Sequence, residues 1–158
     1  TKGSVTYDVK AKANIGTARI YGFEGSLMHI VSSSLSLCAG LSYTRGINMT
    51  ADEPVGGIPP LFGLVGLHYD HGIVSSEVWS RFASSQRRLS SDDRDDPRIP
   101  SHGTPGWYTL NYRGAVRPAD WLRLRFTIEN LFDRLYREHG SGVNAPGRNL
   151  ITSLELTF

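Results

Sequence analysis

The sequence predicts an all-β fold, an antiparallel up-and-down meander of about seven long strands that forms part of a transmembrane β-barrel. Three observations support this prediction. Apolar and polar residues alternate along most of the chain with the period of a strand, and no helical period is evident. The alternating stretches are about 10 to 13 residues long, whereas soluble strands usually have about five or six. Tight and long connections between the stretches alternate strictly.

The strands are assigned from this alternation, and the clearest one covers residues 34–43. There Leu35 and Leu37 share one face, and serines lie on the other. Residues 121–130 and 149–158 show the same division. Weaker alternating stretches complete the meander at residues 17–30, 60–70, 73–84 and 106–116.

The connections give the predicted sheet two unlike edges. The tight ones contain Gly, Pro, Asp or Ser, which turns favour, and the others are much longer. Transmembrane β-barrels have this asymmetry, with short periplasmic turns and long external loops. The tight connections are residues 31–33, 70–72 and 117–120, and the long loops are residues 46–57, 85–105 and 131–146.

An odd number of strands does not suit a complete barrel, because bacterial single-chain barrels have an even number. An open sheet would also leave unpaired backbone groups in lipid, which is costly. We therefore expect the chain to be the C-terminal part of a larger barrel. Alternation of Val5, Tyr7 and Val9 leaves an eighth strand within residues 3–14 open, and eight strands would allow a small complete barrel.

Composition argues against several classes of protein. The 158 residues include 17 Lys and Arg against 15 Asp and Glu, a net charge of +2, which does not suit a nucleic-acid partner. One cysteine excludes an internal disulfide framework, and no C-x-x-C pair is present to hold zinc. The histidines lack the spacing of a metal site, and we expect neither a metal nor another cofactor.

No catalytic motif is evident, since a G-x-S-x-G elbow, a phosphate loop and a paired acid motif are all missing. Asp92, Asp96, Ser101 and His102 show no specific spacing, so we expect that the protein is not an enzyme. The acidic run at residues 92–96 has an arginine in its middle and lacks the EF-hand pattern. It is typical of a solvated, self-neutralising loop.

A motif follows the strand predicted at residues 121–130. Its Asn and Asp side chains are expected to accept local backbone hydrogen bonds, and its Leu-Phe pair gives an apolar anchor. The stretch resembles the Asn-Leu-Phe-Asp-x-x-Tyr signature of TonB-dependent outer-membrane receptors, carried here by Asn130, Leu131, Phe132, Asp133 and Tyr136. Further stretches that resemble that family are residues 14–24, 57–60 and 146–149.

This resemblance implies a barrel of about 22 strands whose lumen holds an N-terminal plug. Residues 1–158 would then be the C-terminal barrel segment, without the plug, of a receptor in the bacterial outer membrane. Such receptors take up scarce nutrients, often metal chelates such as siderophores, with energy passed through TonB. The implied partners are outer-membrane lipid, the rest of the barrel, the plug, TonB through the missing plug, and the barrel-assembly machinery.

Three residues are candidates for contact with such a ligand. Arg87 and Arg88 would attract an anionic chelate or lipopolysaccharide phosphates, although a plain surface role also fits them. His139 lies in a predicted external loop and is the best placed of the histidines.

The end of the chain has two interpretations. Leu154, Leu156 and Phe158 fit an apolar strand end at a membrane interface. They also resemble the terminal signal that the barrel-assembly machinery reads in this family.

Two alternatives to a receptor segment remain open from the sequence. One is a small complete outer-membrane barrel that acts as an enzyme or an adhesin. The other is a soluble β-sandwich binding domain, in which the aliphatic faces would be buried internally.

Overall fold

The computed structural model describes residues 16–158, which form one antiparallel sheet. The long strands lie in the sheet in the order in which they follow along the chain, and only a two-residue strand departs from this path by pairing with the end of its predecessor. The predicted meander of seven long strands is confirmed, and the strand considered within residues 3–14 lies outside the described residues. The strands are β1 (Ala18–Ile30), β2 (Leu35–Asn48), the short β3 (Glu53–Pro54), β4 (Phe62–His71), β5 (Val74–Ala83), β6 (Trp107–Ala119), β7 (Leu122–Glu129) and β8 (Asn149–Leu156).

Two adjacent cross-strand rows define the two faces of the sheet. Paired residues of neighbouring strands point to the same face, and successive residues of a strand point to opposite faces. The first row, which defines the apolar face, begins at His29 and continues with Leu37, Leu67, Val78, Tyr112, Ile128 and Leu150. The second row, which defines the polar face, begins at Ile30, continues with Ser36, His68, Glu77, Arg113 and Thr127, and ends at Ile151.

The apolar face is not covered by any part of the chain that the structure describes. Leu67 is 47% exposed and Leu150 is 63% exposed. The buried hydrophobic side chains are instead Leu89, Ile99 and Trp107, which lie in a long loop and at the start of β6. A β-sandwich buries one face of each sheet against a second sheet, so the soluble sandwich alternative is wrong.

The two edges of the sheet differ as the sequence predicts. At the tight-turn edge, residues 31–34, 72–73 and 120–121 join the strands. Gly72 there has φ of +62°, a conformation that glycine adopts at little cost in a two-residue hairpin turn. At the long-loop edge, the first, second and third long loops are residues 49–61, 84–106 and 130–148.

The second long loop contains a short helix that the alternation pattern does not predict, α1 (Ser91–Asp95). A capping box begins it: the Ser90 hydroxyl accepts from the Asp93 N–H, and the Asp93 carboxylate accepts from the Ser90 N–H. A helix of this length is not stable alone, so its contacts with the neighbouring loop must hold it. Within residues 16–158, no helix is long and apolar enough to cross a membrane.

Candidate functional site

The first and second long loops are fastened to each other by hydrogen bonds to two carboxylates. Glu53 accepts from Ser91 twice, from the N–H at 2.8 Å and from the hydroxyl at 2.9 Å. Asp93, which is 5% exposed, accepts from the Gly57 N–H at 3.0 Å. These bonds join residues far apart in sequence, and they hold α1 against the first long loop.

Asn130 organises the start of the third long loop. It is 4% exposed and has φ of +50°, which is unusual for a residue other than glycine. Its side-chain oxygen accepts from the Arg134 N–H at 2.9 Å, and its amide donates to the carbonyls of Arg134 and Pro146 at 2.9 and 3.2 Å. Asp133, with φ of +52°, accepts from the Arg148 N–H at 2.8 Å. The Asn and Asp of the motif therefore hold the two ends of this loop together.

Tyr136, the last residue of the motif, returns the third loop to the polar face. Its ring packs against that of Trp107, with centroids 4.2 Å apart, and burial raises the pKa of its phenol. The Arg81 guanidinium lies 5.7 Å from the centroid of the Trp107 ring and 3.2 Å from the Glu138 carboxylate. An aromatic pair, a cation and an anion thus meet under the third loop.

Two cavities adjoin this cluster on the polar side of the sheet, and Arg81 lines both of them. A guanidinium beside aromatic rings can bind anionic or aromatic ligands. The cavity of about 300 Å³ is lined by residues that include Pro59, Phe62, Trp107, Glu138 and His139. The cavity of about 470 Å³ is lined by residues that include Glu24, Ser26, Ser42 and Leu64.

His139, the predicted ligand contact, lies at the smaller cavity but points neither ring nitrogen at solvent. Its Nδ1 lies 2.8 Å from the Thr104 hydroxyl, and its Nε2 is buried without a hydrogen-bond partner among the described residues. Burial lowers the pKa of the imidazole, and the carboxylates of Asp93 and Asp96 partly oppose that shift. A bond from Nε2 to a ligand would require this loop to open, and the ligand role of His139 stays a prediction.

The structure does not bring Arg87 and Arg88 together with His139. Both arginines are exposed and line a separate cavity of about 280 Å³, which shares Pro59 and Pro60 with the cavity at His139. Their contact with a ligand also stays a prediction.

The residues of the predicted assembly signal lie at the opposite edge. Leu154 and Leu156 pair with Leu124 and Leu122 on the apolar face, and Phe158 follows β8 fully exposed. Leu154 and Leu156 lie in β8, which ends before Phe158, and recognition by the assembly machinery stays a prediction.

Sequence reasoning did not single out Arg81 or Arg113, which occupy similar surroundings on the polar face. Arg113 lies 3.4 Å from the Glu77 carboxylate, and its guanidinium lies 5.1 Å from the centroid of the Trp79 ring. Alternation predicts that such residues face the polar side, but their partners come from other strands and depend on the pairing register.

One carboxylate of the acidic run at residues 92–96, that of Asp96, pairs with an arginine of its own loop, Arg98. Hydrogen bonds from the side chain and backbone of Arg98 lower the pKa of Asp96 to about 2. Among the described residues 16–158, no three His, Cys, Asp or Glu side chains come together as possible metal ligands.

Comparison with known protein families assigns most of the chain to one of them. A match to the family described as TonB dependent receptor-like, beta-barrel spans residues 3–131. The chain belongs to this family of TonB-dependent receptor β-barrels.

Individual relatives agree with this assignment. Heme/hemopexin utilization protein C of Haemophilus influenzae is 28% identical over 166 residues, which cover 100% of this chain and 22% of the relative. The solved structure of the copper transporter OprC has a TM-score of 0.78 and 27% identity, over 89% of this chain and 24% of that one. The ferric enterobactin receptor PfeA of Pseudomonas aeruginosa has a TM-score of 0.69 at 20% identity, over 92% of this chain and 23% of that one, a likeness of fold alone. The chain therefore spans less than a quarter of each of these proteins.

Proposed function

We propose that the chain is the C-terminal barrel segment of a bacterial outer-membrane receptor that imports a metal-containing nutrient with energy from TonB. The observation that carries the proposal is the family match over residues 3–131. The sheet is consistent with it, because an apolar row beside a charged row suits a wall between lipid and a wet lumen.

The proposal includes the rest of a barrel as a partner. Within the described residues, β1 and β8 each pair with a neighbour on one side only. Unpaired backbone groups are costly in lipid, so β1 and β8 each need a further strand beside them. The other proposed partners are outer-membrane lipid, a plug in the lumen, TonB acting through that plug, and the barrel-assembly machinery acting on the end at Phe158.

The proposed cargo is a metal chelate. The relatives at 28% and 27% identity are named for heme/hemopexin utilization and for copper transport. The surroundings of Arg81 and Trp107 suit an anionic or aromatic chelate, because guanidinium and indole groups bind carboxylates and planar rings. We propose that the long loops capture this ligand and that movement of the plug, driven through TonB, opens its passage.

Growth on defined metal sources tests the function. A strain without its own uptake receptors would express the intact receptor that contains this segment, and hemin, copper and ferric siderophores would be supplied one at a time. We expect growth or metal accumulation with at least one source, and its loss when TonB is deleted. Uptake that persists without TonB, or no uptake of any of these sources, would contradict the proposal.

A matched pair of variants tests the place of ligand contact. Arg81→Gln and Arg113→Gln each remove a polar-face arginine with one carboxylate and one tryptophan beside it. We expect Arg81→Gln to weaken binding of the imported chelate about tenfold, the scale of one lost charge-assisted contact, and Arg113→Gln to change it little. Equal effects of the two variants would place the contact elsewhere.

A further inference from the structure

Arg134 lies on the opposite side of the sheet from the ligand cavities. Its guanidinium is 4.8 Å from the centroid of the Tyr108 ring. Tyr108 belongs to the apolar face, because it pairs with Phe82 in a row that alternates with the polar row of Ala83 and Trp107. It is 53% exposed and stands at the long-loop end of β6. The Arg134 guanidinium therefore lies over an exposed aromatic ring at the long-loop end of the apolar face.

The strand-exit motif explains why Arg134 and Tyr136 lie on opposite sides. The backbone turns at Asn130 and Asp133, both with positive φ, and Asn130 fixes the position of Arg134 with two hydrogen bonds to its backbone. Two residues later, Tyr136 packs on Trp107 at the polar face. The third loop thus straddles the rim of the sheet, and the position of Arg134 follows from the motif.

The charge of Arg134 is not neutralised by any side chain that the structure describes. The salt bridges of residues 16–158 include the polar-face arginines Arg81, Arg113, Arg123 and Arg125, but not Arg134. Of the residues near it in sequence, Phe132 is 66% exposed and Leu135 is 78% exposed, and the Asp133 carboxylate accepts from the Arg148 N–H.

We propose that Arg134 and Tyr108 form a binding site for the phosphate of a lipid headgroup at the outer rim of the barrel. The site rests on the proposed function in one respect, the placement of the apolar face in the outer membrane. The Arg134 guanidinium has no salt-bridge partner among residues 16–158, and its fork of N–H donors matches two phosphate oxygens. Phe132 and Leu135 offer apolar surface to the acyl chains of the same lipid, and a phosphate supplies the negative charge that the protein does not.

Binding of lipid A to the intact receptor in neutral detergent tests this site. Native mass spectrometry would compare lipid A carrying its phosphates, dephosphorylated lipid A, and competition by inorganic phosphate. We expect the phosphorylated lipid to bind about tenfold more tightly than the dephosphorylated one, as for one bidentate charge-assisted contact. Equal binding of the two lipids would overturn the proposal, and so would displacement of the lipid by millimolar inorganic phosphate, which would indicate a site for the free ion.

Variants assign the effect to the site. Arg134→Gln should remove most of the preference for phosphate, and Tyr108→Leu, which keeps the apolar face, should weaken it. Arg94→Gln is the control, because Arg94 is another exposed arginine at the long-loop edge and should bind lipid A as the wild type does. Heat-modifiable gel migration would establish that each variant is folded. If Arg134→Gln keeps the full preference, the site is wrong.

Metal uptake separates this proposal from the proposed function. The lipid site is supported if the receptor with Arg134→Gln loses the preference for phosphorylated lipid A but still imports the chelate. A wild-type receptor that binds phosphorylated lipid A but imports no chelate would contradict the function and leave the lipid site supported.

Discussion

The two edges of this sheet are built in different ways. At the tight-turn edge each connection has two to four residues and closes between adjacent strands, and its longer-range bonds run to the end of the next strand, as from Ser34 to His71 and from Arg117 to Ile73. At the long-loop edge the order comes from bonds between separate loops: Ser91 to Glu53, Gly57 to Asp93 and Thr104 to His139 join residues 38, 36 and 35 positions apart. Long loops of a barrel can therefore share one packed structure, so a substitution in one loop should alter the structure or stability of the next loop.

The comparison predicts the largest loss of stability at Asn130. Asn130→Ala removes three side-chain hydrogen bonds and keeps a positive φ that alanine adopts poorly. We expect the free energy of unfolding of the receptor in detergent to fall by about 3 kcal/mol. Chemical denaturation followed by heat-modifiable migration would measure it.

Asn149→Ala is the control for that experiment. Asn149 makes a single exposed side-chain bond, to Glu129 at 3.3 Å, so its removal should cost well under about 1 kcal/mol. Similar losses for the two variants would mean that the third loop is not organised by Asn130.

The next effect is expected at Asp93, which joins the first two loops. Asp93→Ala leaves the N–H groups of Gly57 and Ser90 without their acceptor, and we expect a local cost of about 2 kcal/mol. Hydrogen exchange at these two amides would measure it as faster exchange. Asp92→Ala is matched in charge and helix position, and because Asp92 is exposed it should leave the exchange unchanged.

The sequence was sufficient for the sheet because strand alternation is a local property. Leu35 and Leu37 reveal their face from their own spacing, and the rows confirm it. The helix α1 was not predicted, because five residues carry too little periodicity and its stability comes from Glu53 and Gly57 in another loop.

The candidate site was predictable only in part, because its contacts join residues that are far apart in sequence. Alternation and loop position led to His139, yet its enclosure depends on Thr104, 35 residues away. Arg81 was missed because its importance comes from Trp107 and Glu138, which meet it only after the strands pair and the third loop folds back. The motif at residues 130–136 was recognised from the sequence, but only the structure shows that it places side chains on both faces of the sheet.

Acidification should loosen the long-loop edge through His139. Burial lowers the pKa of its imidazole in the folded loop, so the open loop binds more protons near the ordinary value of about 6.5. The stabilisation of the closed loop is therefore complete above that pH and declines as pH falls through it. Exchange at the Thr104 amide, corrected for intrinsic chemistry, should accelerate below that pH.

His139→Gln is the control for the pH experiment. Glutamine does not titrate, so exchange at the Thr104 amide should lose its dependence on pH between about 7.5 and 5.5, the interval around the ordinary pKa of histidine. The same pH dependence in the variant would show that another group controls the loop.

The smallest effect is expected at the tight-turn edge, and it completes the comparison with one substitution at each edge. Glu155 lies 3.0 Å from Arg125 and 3.8 Å from Arg123, and all three side chains are 40% exposed or more. Exposed ion pairs are screened by water and salt, so Glu155→Gln should cost only about 0.5 kcal/mol, and less at high salt. Glu53→Gln weakens two bonds that hold α1 and should cost about 1.5 kcal/mol. If denaturation gives equal losses for the two variants, the contacts of the two carboxylates contribute equally to stability. The packing of the long loops against each other then does not strengthen the contact that Glu53 makes.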